Sequence, residues 1–248
     1  YFGFTDEDTQ KLRDEAQARK DKGFDCEIVE EGTQLKPSPF KAELYNKKDF
    51  ALHPVKFIRS LARAAEDLGL SIYENTPAIH WTENSVATAN GKITTKKVIL
   101  AIESNMTPLL TDSKILRSQA LVFDSLPDEK LKVMDWQFGG MFWTTGESYV
   151  SGRKIGSRLF TCKTLPVDPS ESEKDENMDW QIDKVLSFFP TLTREDLSIS
   201  HRWSGLMVET KDYHPHIRDV DGCIEICGHG GNGLTFGILA GKIAAEYA

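Results

Sequence analysis

The residues with the clearest capacity for chemistry lie in one glycine-rich stretch near the end of the sequence, Gly228-His229-Gly230-Gly231-Asn232-Gly233-Leu234-Thr235. An apolar run over 223–227 precedes it, and a segment with helical spacing follows, so we predict a strand, a sharp turn and a helix. Glycine permits positive φ and lets another group approach the backbone closely. The helix start would add unpaired N–H groups and a positive dipole end. This combination favours an anion or an electron-rich ring edge over the loop.

Gly228, Gly230 and Gly233 also have the spacing of the dinucleotide-binding fingerprint G-x-G-x-x-G. That fingerprint opens a βαβ unit with an acidic residue about 20 positions further on. Only residues 234–248 follow Gly233 here, so we expect a different use of the loop, and a nicotinamide-dependent dehydrogenase is disfavoured. A glycine-rich turn without any ligand remains the alternative that the motif alone leaves open.

Helices and strands alternate in the residues before position 104. Thr5 is a candidate N-cap for a helix that ends at Gly23, and a strand over 24–29 follows. Pro37 and Pro39 predict irregular structure over 30–52. We then predict four elements in this order: an amphipathic helix over 54–68 begun by His53-Pro54, a strand over 70–73, a hairpin at Asn90-Gly91 and a buried parallel strand over 97–102.

From residue 105 to residue 210 the pattern becomes rich in short strands, which predicts a largely antiparallel sheet. The strands expected there cover 119–124, 132–136, 140–144, 148–153 and 197–208. Between them, 165–177 reads as a surface loop and 179–189 as a helix.

Composition excludes several classes of partner. The 248 residues carry a net charge of −8, which disfavours nucleic acid, and no apolar run is long enough for a membrane helix. The four cysteines are too sparse for a disulfide scaffold, so we expect a reducing, cytoplasmic setting. His214 and His216 share a strand face, but two ligands do not make a metal site, and we predict no metal.

The run from Gly228 to the end, GHGGNGLTFGILAGKIAAEYA, resembles the C-terminal flavin-binding segment of the D-amino-acid-oxidase-like family of FAD-dependent amine and amino-acid oxidoreductases. Glycine oxidase, sarcosine oxidase and γ-glutamylputrescine oxidase belong to that family. The stretches 98–102, 116–122 and 201–217 are similar to other family segments, although Arg218 stands where the family pattern has glycine.

The resemblance implies an α+β or α/β fold with two parts. Residues 1–52 and 105–215 would form a largely antiparallel substrate domain with flanking helices. Residues 53–104 and 216–248 would form the remainder of a Rossmann-like FAD domain. The N-terminal G-x-G-x-x-G unit that holds the pyrophosphate in the family is expected to be missing, so these residues, as a fragment, would bind FAD weakly or not at all.

The resemblance also implies site residues. The loop Gly228–Thr235 would lie against the pyrimidine side of the isoalloxazine ring, with backbone N–H groups of Gly230 to Gly233 favouring the reduced flavin. FAD would be non-covalent, because Gly205 matches the cysteine that holds flavin in sarcosine oxidases. Met207 matches the arginine that grips a substrate carboxylate in glycine-oxidase-like members, which favours an amine over an α-amino acid.

Trp203 and His53 are further candidates for the substrate pocket, although a core tryptophan and a helix cap are equally ordinary uses of these residues. The sequence identifies no catalytic residue. The implied reaction passes a hydride from the carbon beside nitrogen to flavin N5 and leaves an imine that water hydrolyses. The alternative is a non-catalytic binding domain that keeps the fold without the cofactor. The amine, the electron acceptor and the oligomeric state stay open.

Overall fold

A computed structural model describes residues 1–30, 33, 35–36, 39–103, 113–136, 140–145, 149–166 and 175–247 of the protein. The fold is mixed α/β, as predicted, and most of its strand pairs are antiparallel. The α-helices within these ranges are α1 (Asp6–Asp21), α2 (Pro54–Asp67), α3 (Asp128–Val133), α4 (Asp175–Phe188) and α5 (Gly233–Tyr247).

The strands within the same ranges form five small sheets. In chain order they are β1 (Phe2–Gly3), β2 (Cys26–Val29), β3 (Leu35–Lys36), β4 (Ala42–Asn46), β5 (His80–Thr82), β6 (Ser85–Thr88), β7 (Gly91–Thr94), β8 (Ile99–Leu100), β9 (Ser113–Phe123), β10 (Asp135–Trp136), β11 (Met141–Trp143), β12 (Val150–Ile155), β13 (Arg158–Pro166), β14 (Ile199–Thr210), β15 (His216–Val220) and β16 (Cys223–Cys227).

The chain divides into two compact units, each built from separate stretches of sequence. The first contains the described residues within Tyr1–Ala51, Arg117–Leu165 and Ser170–Gly205. The second consists mainly of those within Leu52–Leu116 and Leu206–Ala248. Strands β9 and β14 each run from one unit into the other, so the chain connects the units through continuous strands.

In the first unit, α1 begins where the sequence predicted. The Thr5 side chain accepts a hydrogen bond from the Asp8 N–H, and the Asp8 carboxylate accepts one from the Thr5 N–H, which together form a capping box. The apolar face of α1 packs on the sheet β1-β4-β2, where Leu12 contacts the cluster that contains Leu44. The prediction of irregular structure over 30–52 was therefore wrong at β3 and β4, because sheet pairing overrides weak local propensity.

The larger sheet of this unit has the order β11-β12-β13-β9-β14, and α4 packs against it. Helix and sheet are joined by a buried bond from Gln181 Nε2 to Thr161 Oγ1 of 2.8 Å. The expected strand over 132–136 was wrong in its first half. Asp128 and Glu129 lie in the first turn of the short helix α3, where acidic side chains suit the helix dipole, and only Asp135–Trp136 form a strand.

In the second unit, the hairpin predicted at Asn90-Gly91 joins β6 to β7 and completes a three-stranded meander with β5. A separate sheet has the order β15-β16-β8, with β16 parallel to β8 and antiparallel to β15. Helix α5 covers one face of this sheet through Ala240 and Ala244, which pack on Ile224 and Ile226.

Helix α2 has the predicted bounds, but no residue on it is buried. Its apolar side chains Val55, Ile58 and Leu61 are 53%, 50% and 52% exposed. The prediction of a strand over 70–73 was wrong for the described structure, in which these residues have no regular secondary structure and the Leu70 N–H donates to the Ala65 carbonyl at 3.0 Å. The buried strand predicted over 97–102 is reduced to the pair Ile99–Leu100, the two residues in register with β16, although the Val98 carbonyl also accepts a hydrogen bond from the Ile224 N–H at 3.0 Å.

Candidate functional site

The glycine-rich stretch forms a tight connection between β16 and α5, as the spacing predicted. Strand β16 ends at Cys227, and the chain turns at Gly228 and Gly230, whose φ angles are +77° and +54°. A single 3₁₀ turn, Gly230–Asn232, leads directly into α5 at Gly233. Both turn glycines adopt a backbone conformation that residues with a Cβ atom rarely adopt.

Gly228 is needed for a second reason, which is a close approach to β14. A Cβ atom at Gly228 would lie 2.5 Å from Thr210 Cγ2. Thr210 is itself held in place, since its Oγ1 donates to the His214 carbonyl at 2.7 Å. The buried end of the loop is therefore locked against the turn between β14 and β15.

The outer part of the loop is open. Among the described residues, no heavy atom lies within 4 Å of the position that a Cβ atom would take at Gly231 or at Gly237 in α5, apart from the chain neighbours and the backbone of the glycine's own helix. Gly231, Asn232, Gly233, Leu234 and Thr235 are all exposed. The Asn232 N–H donates to the His229 carbonyl at 3.0 Å, so the chain itself uses one of the expected N–H donors.

His229 is held by an acidic residue that the sequence analysis did not single out. Its Nδ1 lies 3.1 Å from Glu103 Oε2, and Glu103 Oε1 accepts a hydrogen bond from the Val208 N–H at 3.2 Å. The side chains of His229 and Glu103 are 16% and 30% exposed. The two residues are 126 positions apart, so no local pattern connects them, although an acidic residue just after a buried parallel strand was a usable signal.

The pair lies at a position where α/β sheets bind ligands. Glu103 follows β8 by three residues and His229 follows β16 by two, and these two strands are parallel neighbours. Ligands of open α/β sheets bind outside the carboxyl ends of the strands. The glycine loop, the start of α5 and the Glu103–His229 pair therefore meet at one such edge.

Behind this edge lies a buried ion pair. Glu225 on β16 is fully buried and pairs with Arg218, which stands directly opposite it on β15. Arg218, at the position where the related pattern has glycine, thus neutralises a carboxylate in the sheet. Burial, followed by the charge of Glu225, raises the pKa of the Cys227 thiol to about 12, so Cys227 stays protonated at neutral pH and is a poor nucleophile.

The three expected pocket residues lie on different elements. Trp203 on β14 is 51% exposed and stacks on Phe160, with ring centroids 5.9 Å apart. Met207 is further along β14, half-buried, and belongs to the second unit, whereas Trp203 belongs to the first. His53 is the N-cap of α2, where its Nδ1 accepts a hydrogen bond from the Lys56 N–H at 3.4 Å.

The described part of the chain was compared with the requirements of a metal site and of a membrane-spanning helix, and it meets neither. There, no three His, Cys, Asp or Glu side chains are grouped so that they could hold a metal ion. Over the same residues, no helix has both the length and the apolar character needed to cross a membrane.

The sequence profile of the family described as "FAD dependent oxidoreductase" (DAO) matches residues 1–247, and the chain belongs to this family. It is 26% identical over 214 residues to the "Probable oxidoreductase OrdL" of Haemophilus influenzae, covering 82% of this chain and 48% of that protein. It is 24% identical over 231 residues to the glycine oxidase of Bacillus licheniformis, covering 88% of this chain and 60% of that protein. The chain therefore spans about half the length of the curated relatives it matches.

Solved structures show the same fold. Glycine oxidase from Geobacillus kaustophilus has a TM-score of 0.78 at 16% identity, with 99% of this chain and 68% of that chain covered. L-amino acid deaminase from Proteus vulgaris has a TM-score of 0.72 at 18% identity, with 99% and 66% covered.

The described residues fit one part of a flavin. The open backbone at Gly231 lets a flat ring edge approach, and the first turn of α5 adds the positive end of a helix dipole. The groups suited to hold that edge are the N–H groups of Gly231 and Gly233 and the amide of Asn232. They match the donor set that an electron-rich ring edge requires.

Proposed function

We propose that these residues form the C-terminal part of an FAD-dependent oxidoreductase that oxidises the C–N bond of an amine. The observation that carries the proposal is the open glycine loop at the carboxyl end of β16, in a chain that belongs to the DAO family. In this proposal the second unit contributes to the FAD domain and the first unit to the substrate domain.

Bound FAD would supply a hydride acceptor at N5, and hydrolysis of the resulting imine would complete the reaction. The chain would supply position and electrostatics. N–H groups of Gly231 and Gly233, with the dipole of α5, would stabilise the negative charge that the reduced ring carries at its pyrimidine side. Leu234 and Thr235, exposed in the first turn of α5, would border the ring.

The identity of Met207 supports an amine as the substrate. A methionine thioether cannot form the two charge-assisted hydrogen bonds by which an arginine binds a carboxylate. A substrate without an α-carboxylate would leave no anion unpaired at this position. Trp203, half-exposed and stacked on Phe160, is proposed as an apolar wall for the carbon part of the substrate.

The affinity for FAD is proposed to be low in these 248 residues alone. In this proposal the G-x-G-x-x-G spacing at Gly228–Gly233, which leads into α5, serves the flavin ring and not a pyrophosphate. The chain spans about half of the curated relatives' length, and a pyrophosphate loop contributes much of the binding in such sites. For the protein as a whole we also propose a reducing, cytoplasmic location.

One observation favours a second candidate, a non-catalytic binding domain. The apolar face of α2 is exposed along its length, and contiguous exposed apolar surface often marks a site of protein interaction. The two candidates differ in a simple respect, since only the enzyme binds a flavin that an amine can reduce.

The substrate class can be tested with the protein from the complete reading frame that contains these residues, loaded with FAD. We expect anaerobic flavin reduction to be at least about tenfold faster with a diamine than with glycine or alanine, because Met207 offers no cation for a carboxylate. Met207→Arg should shift this preference toward the amino acids, and Met207→Leu should not. Flavin that is bound but reduced by neither class of compound would contradict the proposed function.

A further inference from the structure

Glu103, the partner of His229, combines an unusual backbone conformation with a carboxylate that is held by two hydrogen bonds. Glu103 is not glycine, yet its φ angle is +43°, in the left-handed region that L-residues seldom adopt. Such conformations are strained and are found most often at functional sites. The Glu103 carboxylate is fixed on both sides, by the Val208 N–H and by His229 Nδ1.

The hydrogen bond between Glu103 and His229 decides which ring nitrogen of His229 can exchange a proton with a ligand. An ionised carboxylate only accepts hydrogen bonds, so when Glu103 is ionised the hydrogen of this bond is carried by His229 Nδ1 and donated to Glu103 Oε2. In the neutral imidazole, Nε2 is then the unprotonated atom and an acceptor. The His229 side chain is 16% exposed, so it is shielded from bulk water but remains accessible at the carboxyl edge of β8 and β16.

We propose that His229 Nε2 accepts the proton of the ammonium form of the amine substrate and that Glu103 is the residue that positions His229 for this step. This inference rests on the proposed function. Aliphatic amines are mostly protonated at neutral pH, since their pKa values are about 10, and an ammonium has no lone pair to expel a hydride from the neighbouring carbon. The transfer gives a neutral amine and an imidazolium, with the proton on Nε2 and the positive charge beside the Glu103 carboxylate.

The other titratable groups on the elements around His229 do not provide the same step. Glu209 on β14 forms a backbone bridge with His229, and no hydrogen bond joins the two side chains. Cys227 has a pKa near 12 and stays neutral through the working range, and Glu225 beside it is paired with Arg218. The His214 ring is tilted by 49° relative to Phe236, with centroids 6.3 Å apart, and its Nδ1 lies 2.6 Å from the Asp212 carbonyl oxygen.

The tautomer of His229 is a direct test that needs no activity. In the protein from the complete reading frame, labelled with ¹⁵N at histidine, we expect the His229 signals at neutral pH to be those of the Nδ1–H tautomer. The variant His229→Gln identifies the His229 signals, because only they disappear from the spectrum. Glu103→Gln should mix the two tautomers, because an amide can either donate to or accept from Nδ1. Glu209→Gln makes the same change of charge nearby and should leave the tautomer unchanged.

The pH profile of flavin reduction by a diamine tests the proton transfer itself. His229→Gln should slow reduction about 100-fold at pH 7, and Glu103→Gln at least about tenfold, in the range usual for general base catalysis. Both deficits should shrink toward pH 10, where solvent supplies the neutral amine, whereas a structural defect would persist at every pH.

The two proposals can fail separately. If wild-type flavin is reduced by amines but Glu103→Gln changes neither the tautomer nor the pH profile, the role of Glu103 is refuted and the proposed function stands. If the tautomer behaves as expected but no FAD is bound, the proposed function fails and the proton transfer falls with it.

Discussion

At the scale of single residues, two glycines of the same loop have different tasks. Gly228 adopts positive φ and has the Thr210 methyl group where a Cβ atom would lie, so it is required for folding. Gly231 has open space at the same position among the described residues, so a methyl group there would meet no part of the described chain outside its own turn. In the proposed function, stability and cofactor binding are therefore separable within four residues.

We predict that Gly228→Ala lowers the free energy of unfolding by about 2–4 kcal/mol, from backbone strain plus overpacking against Thr210. Urea unfolding monitored by tryptophan fluorescence measures this loss. Gly231→Ala is the matched control and should change the stability by less than about 0.5 kcal/mol. It should instead weaken FAD binding in the protein from the complete reading frame. Equal losses of stability in the two variants would contradict the division of tasks.

The residues of the loop could be predicted from sequence because the signal is local: glycines, a preceding apolar run and a following helical pattern. Glu103 could not, because its partner His229 is 126 positions away and only the parallel pairing of β8 with β16 brings them together. The partner of Arg218 was not predicted for a different reason: it depends on the register of the adjacent strands β15 and β16, which places Glu225 directly opposite.

At the scale of elements, the sheet β15-β16-β8 contains a buried charge. Glu225 has no solvent exposure, and Arg218 on the adjacent strand is its partner, with a side chain that is 36% exposed. Removing one member of a buried pair leaves an uncompensated charge, whereas replacing both with apolar residues is often nearly neutral.

Arg218→Met should therefore destabilise the protein by about 3 kcal/mol, at the low end for buried pairs because water partly screens the arginine. The double variant with Arg218→Met and Glu225→Leu should recover most of that loss. A double-mutant cycle from urea unfolding measures the coupling. Losses that simply add would show that the pair does not act as a unit. Lys11→Met, which breaks an exposed pair with Glu7, is the control and should have no measurable effect.

A second buried charge lies between β13 and α4. Lys163 is only 6% exposed, and its Nζ lies 3.7 Å from the centre of the Trp180 ring. Burial, and then the charge of Lys184, lowers the pKa of Lys163 below its usual 10.5. Between the folded-state pKa and 10.5 the unfolded chain binds more protons than the folded one, so the contribution of Lys163 to stability rises with pH.

Lys163→Met should remove this increase of stability with pH. We expect the difference in unfolding free energy between wild type and variant to move in favour of the wild type as pH increases from 7 to 10. Chemical denaturation at several pH values measures it. Lys22→Met, at the exposed end of α1, should run parallel to the wild type over the same range. A difference that is independent of pH at Lys163 would mean that this lysine is protonated equally in both states.

Helices and turns with local sequence signals could be predicted, whereas strands that form only by pairing with distant strands could not. The caps at Thr5 and His53-Pro54 fixed the starts of α1 and α2, and Asn90-Gly91 fixed a hairpin. Strand β4 escaped prediction because its burial comes from pairing with β1 and β2. Residues 70–73 carry a β-like pattern but have no neighbouring strand to pair with in the described structure.

At the scale of the whole molecule, the chain belongs to the DAO family and folds into two units, each assembled from distant stretches of sequence. This interleaving, with β9 and β14 running through both units, could not be inferred from composition or hydrophobic period, which report only local structure. Among the described residues of the second unit, none on α2 is buried, and its apolar side chains Val55, Ile58 and Leu61 are exposed.

The most direct test of the central claim is the visible absorption spectrum of the protein from the complete reading frame, recorded before and after anaerobic addition of an amine. We predict bound flavin, seen as the visible absorption of the oxidised ring, and bleaching of that absorption by the amine. A purified protein that is colourless, and that stays unchanged in the presence of added FAD, would contradict the assignment as an amine-oxidising flavoenzyme and leave a binding role for the fold.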